Sequence, residues 1–430
     1  MTQTLNRIQT SDVIPDSTSV VIIGGGIVGV SAALTLAERN IPVVLLEKGH
    51  IACEQSSRNL GWIRKTSRHL DDIPLAMAAD ELWKNMPERL GQSVGYQQSG
   101  ILFLADTHEQ LEVHDNWLKS VESLDLDSRL LSKDDIERRV PGSERPWAGA
   151  IFTPSDGRAE PHMAVPAMAN AAIAKGATII QNTSVRAVNT SAGRVSGVYT
   201  EAGEIKCEHV ILAGGAWSRR FLGNMGVSLP TLPVVCTALR TTPVDGPSDI
   251  AVGASNFSFR KHRNGGYIVT QRGALKAPIT LDHLLIGHQY LEALKYQRSF
   301  LRVSFGKEFF SDLCLKRRWK STQKPPFEKV RIHNPPTVTS LNNEAMANLR
   351  AAYPIFNNVD IEEAWAGVID ITPDSNPIID CLDTVSGMTL ATGFSGHGFG
   401  TGPAAGQLAA DLAMGTTPLI DPKPYKFSRL

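Results

Sequence analysis

Three glycines at Gly24-x-Gly26-x-x-Gly29, with Glu47 about twenty residues on, have the spacing that holds a dinucleotide. Gly24 permits the tight turn, Gly26 lets the backbone approach a pyrophosphate, and Gly29 allows close packing of the helix that follows. That helix presents free N–H groups and positive dipole to the phosphates, and Glu47 accepts hydrogen bonds from a ribose hydroxyl. A second glycine-rich loop lies far downstream, Gly393-Phe394-Ser395-Gly396-His397-Gly398-Phe399-Gly400-Thr401-Gly402. A nicotinamide dehydrogenase has no need of it, whereas a reduced flavin develops negative charge near N1 and O2 that such a loop and the next helix's N-terminus stabilise.

The elements around these loops follow from short apolar runs. Val20-Val21-Ile22-Ile23 reads as a parallel strand buried on both faces, Ile27 to Arg39 as a helix, and Val43-Val44-Leu45-Leu46 as a second buried strand, together a βαβ unit. Val210-Ile211-Leu212-Ala213 runs into Gly214-Gly215, and Met388 to Thr392 runs into Gly393. Strands ending in glycine turns at the beginning, middle and end of the chain imply one nucleotide-binding domain assembled from separated pieces. Ser191-Ala192-Gly193-Arg194 reads as a hairpin turn. Between Ser255 and Gln271 a second hairpin is expected, with Asn264-Gly265 as a two-residue turn. That register puts Arg260, His262, Tyr267, Val269 and Gln271 on one face, lining a cavity or meeting solvent, and Phe257, Phe259, Ile268 and Thr270 on the other.

The 430 residues carry 43 Lys+Arg against 43 Asp+Glu, so the electrostatic footprint of a nucleic-acid binder is absent and no such partner is expected. The charge is unevenly spread: Lys295 to Lys320 holds eight Lys/Arg and two acids among aromatic and aliphatic residues. This stretch is either a solvated helical face or a docking surface for an anionic membrane or a protein partner. Five scattered cysteines suggest neither a disulfide framework nor a metal site, and no metal is expected. The N-terminus lacks a signal-peptide core, which with the cysteine usage makes a cytoplasmic location the expectation, peripheral to the inner membrane if the basic stretch docks.

At this point the chain resembles the FAD-dependent D-amino-acid oxidase family, which also holds sarcosine and glycine oxidases and D-amino-acid dehydrogenases. The matching segments are VVIIGGGIVGVSAALTLAERNIPVVLLEKG, SSRNLGW, TPSDGRAEPHMAVPAMANAA, NTSVRAV, VILAGGAWS, RKHRNGGYIVT, WAGVIDITPDSNPIID and LATGFSGHGFGTGPAAGQLAADL. The resemblance implies an α/β fold, α+β overall: a discontinuous Rossmann-like FAD-binding domain and a substrate domain with a mixed or antiparallel sheet. The expected boundaries are a loose arm over 1–17, the FAD domain in 18–95, 146–232 and 346–430, and the substrate domain in 96–145 and 233–345, with a helical basic segment over 284–320. It places Gly24, Gly26, Ile27, Val28, Gly29, Glu47 and Lys48 on the ADP half of FAD and Val185 at the adenine. Ser56, Ser57, Arg58, Asn59 and Gly61 match a loop reaching the pyrophosphate and isoalloxazine, and Ala213, Gly214 and Trp217 a turn beside the cofactor. Gly367, Gly393, Gly396, His397, Gly398, Phe399, Gly400 and Thr401 match the flavin edge.

The implied chemistry is oxidation of the C–N bond of an amine or amino acid by hydride transfer to flavin, followed by imine hydrolysis. A D-amino acid or N-substituted amino acid is the expected substrate. His397 either orients the cofactor or tunes flavin charge and substrate protonation. Some relatives attach FAD through a cysteine in the segment matching WAGVIDITPD; Gly367, Val368 and Ile369 stand there, so FAD is expected to be non-covalent. Many relatives carry Arg-Pro where Ile369-Asp370 stand, which singles out Asp370 as a receiver of a substrate ammonium or as a turn carboxylate. Sarcosine-type oxidases use a lysine on a strand like Gly265 to Gly273, and none is present, which favours a quinone or another electron acceptor over O2. A substrate carboxylate calls for an arginine, with Arg260 first, Arg64 next and Tyr267 as hydroxyl partner. The alternatives are a secondary-amine oxidase of sarcosine or opine-like compounds using O2, and an FAD-carrying subunit without independent turnover.

Overall fold

In the computed structural model, which describes residues 5, 6 and 8–430, Val20–Ile23 is an inner strand of a six-stranded sheet. It lies between the parallel strands Val43–Leu46 and His209–Leu212; Thr178–Ile180 and Met388–Thr392 extend the sheet in parallel, and Ile378–Cys381 closes one edge antiparallel. Both faces are covered, which is why these strands read as unbroken Val/Ile/Leu runs. Because the strands are parallel, the glycine turns at Gly24, Gly214 and Gly393 all leave the same edge of the sheet.

The helices Ile27–Glu38 and Gly398–Met414 start from that edge and pack on one another. A Cβ on Gly402 would press on the Ile27 side chain at 2.8 Å, and one on Gly406 would meet the Ala32 amide at 2.7 Å. The small residues of the last helix therefore bring its backbone against the first helix and align the two N-termini.

The second sheet is ten-stranded and mixed. Its long pair is Leu232–Thr241 with Ile361–Ile371, antiparallel from Leu232↔Ile371 to Thr241↔Ile361. The hairpin Ser258–Lys261 and Tyr267–Thr270 follows, then Ala251–Gly253, Ile101–Ala105, Gly149–Thr153 and Arg129–Leu131. Aromatic residues Phe257, Phe259, Tyr267, Tyr353 and Phe356 fill the core beneath it.

Several expectations change. Gly149–Thr153 and Ile361–Ile371 belong to the second sheet, and Thr339–Ala352 buries Ala345, Met346 and Leu349 in its core, so the boundaries at 146 and 346 fall inside the substrate domain. Residues 319–334 cross the other way: Trp319 and Phe327 are buried with Val44, Leu46 and Ile180 of the nucleotide domain. The arm is not loose where it is described, since Ile8 and Ile14 reach the core and the Ser11 amide donates to the Ile179 carbonyl at 3.0 Å. Residues 1–4 and 7 of it lie outside the described residues. The 284–320 segment is not one helix but short helices, Leu281–Ile286, Leu291–Gln297 and Lys307–Leu313, around a strand Leu301–Ser304 that pairs with Leu275–Pro278.

The hairpin differs by one residue of register. Lys261 faces Tyr267 and Arg260 faces Ile268, while the His262 amide donates to the Gly266 carbonyl at 2.7 Å, leaving a three-residue loop with Gly265 at φ 89°. A one-residue slip exchanges partners between faces. Tyr267 and Val269 consequently join Phe257 and Phe259 in the core, and Ser258 and Thr270 turn toward the nucleotide domain.

Candidate cofactor and substrate site

One continuous cavity of about 490 Å³ runs from the glycine edge of the nucleotide sheet to the underside of the second sheet. At its first end, Gly24 sits at φ 112°, where a Cβ would overlap the Ala213 carbonyl oxygen, and Gly29 is required by the Gly24 carbonyl behind it. Gly26 begins the first helix with no side-chain cap and no acid in the first turn; Ser56 Oγ accepts from the Ile27 amide at 2.8 Å, and Ile27 and Val28 line the wall. Glu47 receives the amides of Gly25 and Gly49 at 2.7 Å each. Burial pushes its carboxyl above the usual range, against the opposing pull of Lys48 and those amides. Val185 lines this end together with Thr183 and Ser184, which the sequence did not single out.

Lys48 is engaged otherwise than expected. Its ammonium meets Glu54 at 2.5 Å and the carbonyls of Val330 and Arg331 at 3.2 and 2.8 Å, tying the 326–334 segment over the nucleotide end. Arg58 does the same work further along, donating to the His333 carbonyl at 2.7 Å and the Cys53 carbonyl at 2.7 Å. Asn59 shapes its own turn, its Oδ1 accepting from the Gly61 amide at 2.7 Å. Ser57 is buried, with Oγ 3.4 Å from the Glu54 carbonyl. Ala213, Gly214 and Trp217 line the middle, the Trp217 indole donating to Glu54 at 3.2 Å. Gly367 lines the opposite wall, where a Cβ would stand 3.3 Å from that of Arg58.

At the far end Gly396, His397, Gly398, Phe399 and Gly400 line the cavity, and His397 begins the last helix, which has no acid in its first turn either. Gly393 and Thr401 stand behind this loop: the Gly393 amide donates to Asp370 at 2.9 Å, and Thr401 Oγ1 donates to the His397 carbonyl at 3.1 Å. His397 Nε2 is 3.3 Å from Arg64 Nη2 and its Nδ1 is 3.6 Å from Asp72 Oδ2. Arginine only donates, so Nε2 is the acceptor and Nδ1 carries the proton. Burial, with the charges of Arg68 and Arg64, holds His397 well below its ordinary pKa and keeps the ring neutral. Asp370 lines the cavity, but its oxygens accept from Gln55 at 3.1 Å and from Gly393; burial raises its pKa.

The two arginines expected to compete for a carboxylate part company. Arg260 is 1% exposed and forms a two-point pair with Glu160 at 2.7 and 2.9 Å, so it holds the fold together and offers nothing to the cavity. Tyr267 donates to the Ser248 carbonyl at 3.1 Å from inside the core and is likewise outside the site. Arg64 does line the cavity. A third arginine, Arg272, lines it too, its guanidinium carbon 4.0 Å from the centre of the Phe103 ring and no carboxylate paired with it among the described residues. It lines the cavity while remaining solvent-exposed, and desolvation by its neighbours pushes it down to about 10, still charged at neutral pH. The hairpin expected from the sequence ends at Gln271, which does line the cavity; Arg272 lies in the bend just beyond the strand Tyr267–Thr270, where alternation of faces no longer applies. Glu160, His162 and His262 also converge, but with Arg260 and Arg158 already at the Glu160 carboxylate a further cation is disfavoured.

Two helix N-termini without a capping side chain of their own on one cavity, with Glu47 at the end of the second strand, fit a ligand with a pyrophosphate in its middle and an electron-accepting ring at one end. A family model described as FAD dependent oxidoreductase matches residues 19–412. A glycine oxidase from Geobacillus kaustophilus is 26% identical over 438 residues, covering 95% of this chain and 96% of the relative. Among solved structures, an L-amino acid deaminase from Proteus myxofaciens in complex with anthranilate aligns with a TM-score of 0.96 at 32% identity, covering 100% of this chain and 97% of that one. An L-amino acid deaminase from Proteus vulgaris aligns with a TM-score of 0.94 at 28% identity, over 99% and 100% of the two chains.

Proposed function

Because the chain belongs to the FAD-dependent oxidoreductase family, we propose that it removes the amino group of an α-amino acid oxidatively, binding FAD without a covalent bond. The observation that carries this reading is Arg272, a cation that lines the cofactor cavity beside Phe103 with no carboxylate paired to it among the described residues, and so suited to a substrate carboxylate. Similarity over the whole chain to the two Proteus L-amino acid deaminases favours an L-amino acid over a D- or N-substituted one. Bound FAD supplies the acceptor for the hydride from the Cα–H bond, and the imine left behind hydrolyses to a 2-keto acid and ammonia. The protein's part is to orient. Arg272 fixes the carboxylate, Trp62, Phe103 and Leu275 enclose the carbon skeleton and exclude water, and the last helix's N-terminus with neutral His397 faces the place where negative charge develops.

The electrons pass to an acceptor other than O2. Lys48 is the one lysine lining the cavity among the described residues, and it sits at the nucleotide end paired with Glu54. The 281–318 segment supports a quinone acceptor at an anionic membrane: Leu284, Val303, Phe305 and Phe310 are 57–67% exposed among basic residues such as Lys295, Arg302 and Lys316. No described helix is long and apolar enough to cross a membrane, so the contact is peripheral. The test is anaerobic mixing with D- and L-amino acids and N-alkyl amino acids, followed by reoxidation with O2 or a soluble quinone. Bleaching by L-amino acids and faster reoxidation by quinone is expected. A flavin that no amino compound bleaches would remove the reading.

A further inference from the structure

Resting on the amino-acid reading above, we propose that the natural substrate carries two carboxylates, Arg272 receiving the one beside the reacting amine and Arg64 the second. The cations lining the cavity divide into two groups. Lys48, Arg68 and Arg331 each have a carboxylate, from Glu54, Asp72 and Glu201 respectively. Arg58 has no such partner but is enclosed by the carbonyls of Cys53, His333 and Ala366. Arg64 and Arg272 have neither: among the described residues no carboxylate pairs with them, and their contacts are the Thr66 carbonyl, His397 Nε2 at 3.3 Å, and the Ala254 carbonyl at 3.4 Å.

Both guanidiniums address one aromatic ring. The Arg272 and Arg64 carbons lie 4.0 and 5.6 Å from the Phe103 centroid, so they are near enough for one small molecule to touch both. Burial and then the like charges of Arg68 and Arg272 push Arg64 down to about 9. Asp72 and Asp156, the acids that act against this, are committed elsewhere: Asp72 to Arg68, and Asp156 to the Lys65 and Thr66 amides and the Thr66 hydroxyl. A substrate with one carboxylate leaves one of the two cations uncompensated, and the oxidised isoalloxazine ring is neutral. Arg64 is the more enclosed of the two, and leaving a partly buried cation uncompensated is costly. The chemistry that balances the site is an amine flanked by two carboxylates. It comes either as an acidic α-amino acid, with the second carboxylate on the side chain, or as an N-carboxyalkyl amine, with the second carboxylate across the nitrogen.

The experiment uses the FAD-loaded enzyme and reads binding separately from turnover. Non-oxidisable glutarate and succinate are titrated against butyrate, following the flavin absorption spectrum. The dicarboxylates are expected to bind at least about tenfold tighter, and Arg64→Gln to erase most of that preference, whereas Arg272→Met weakens both classes. Equal affinity of butyrate and glutarate for the wild-type enzyme overturns the proposal without recourse to any variant. So does an Arg64→Gln protein that loses both classes alike, which would assign Arg64 to the cofactor or to a single shared carboxylate. Anaerobic reduction by glutamate and aspartate, against iminodiacetate, then separates the two sources. Reduction by leucine with no dicarboxylate binding sinks this proposal and leaves amino-acid oxidation standing; dicarboxylate binding with no reduction by any amino compound overturns the amino-acid reading, and with it the assignment of Arg272 to a carboxylate beside a reacting amine.

Discussion

Replacing Arg272 with Met keeps an unbranched stem over the Phe103 face and removes the charge. If the guanidinium receives the substrate carboxylate, the loss is that of one partner of a charge-assisted pair, about 2–5 kcal/mol when fully desolvated. Arg272 is reached by solvent through the cavity, so the lower part of that range applies; about 2–3 kcal/mol corresponds to roughly 30- to 150-fold in affinity. Anaerobic stopped-flow reduction with varied amino acid separates the apparent Kd from the limiting rate. The Kd is expected to rise by that factor while the limiting rate changes only a few-fold and bound FAD is unaltered. A Kd within about threefold of wild type would place the carboxylate elsewhere and refute the assignment. A limiting rate that collapses at unchanged Kd would equally refute it, because the residue would then act on the reacting centre and not on the carboxylate.

Arg260→Met should instead behave as a stability variant: breaking the buried pair with Glu160 costs about 3–5 kcal/mol, read by urea unfolding. Burial alone would raise the Glu160 pKa, but the charge and hydrogen bonds of Arg260 win and hold it below the usual carboxylate value. Its contribution is therefore complete above the unfolded carboxylate range and is lost as pH falls through the depressed folded pKa, so wild type and Arg260→Met should converge in stability on acidification. His397→Ala removes the ring beside Arg64 and should change the flavin absorption spectrum or the rate of flavin reduction; if neither moves, the loop does not meet the flavin. Cys236 stands directly opposite Gly367 and lines the cavity, but burial pushes its thiol up to about 12, so it is no thiolate nucleophile. Acid precipitation should accordingly release all the flavin into the supernatant.

The parts of the site that the sequence announced are those set by backbone alone. Gly24 and Gly29 are legible because the turn and the helix contact each exclude a side chain, and the runs at Val20, Val43 and Val210 because a strand covered on both faces favours apolar residues. Side chains that choose among partners were not legible. Lys48 and Arg58 have the right types and positions to hold a cofactor, yet they reach carbonyls of residues 330–334, which tertiary packing delivers from far along the chain. Glu47 has the same ambiguity, since the oxygens that suit a ribose also suit the amides of Gly25 and Gly49.

The hairpin shows how little separates a correct element from a misplaced site. Asn264-Gly265 marks the turn correctly, but whether the loop holds two residues or three decides whether Tyr267 and Val269 or Ile268 and Thr270 share a face with Arg260. With two, Arg260 and Tyr267 share a face; with three, Arg260 sits opposite Ile268 and closes on Glu160, which follows the strand Gly157–Arg158. Glu160 decides the outcome. Its carboxylate is 1% exposed and needs a cation, and Arg260 supplies it at two points while the Arg263 amide adds a third contact at 3.2 Å. Arg272, a few residues further along at the cavity wall, has no Glu160 to answer to. An arginine that the fold needs is thus unavailable to substrate, and the one the fold does not need remains free for it.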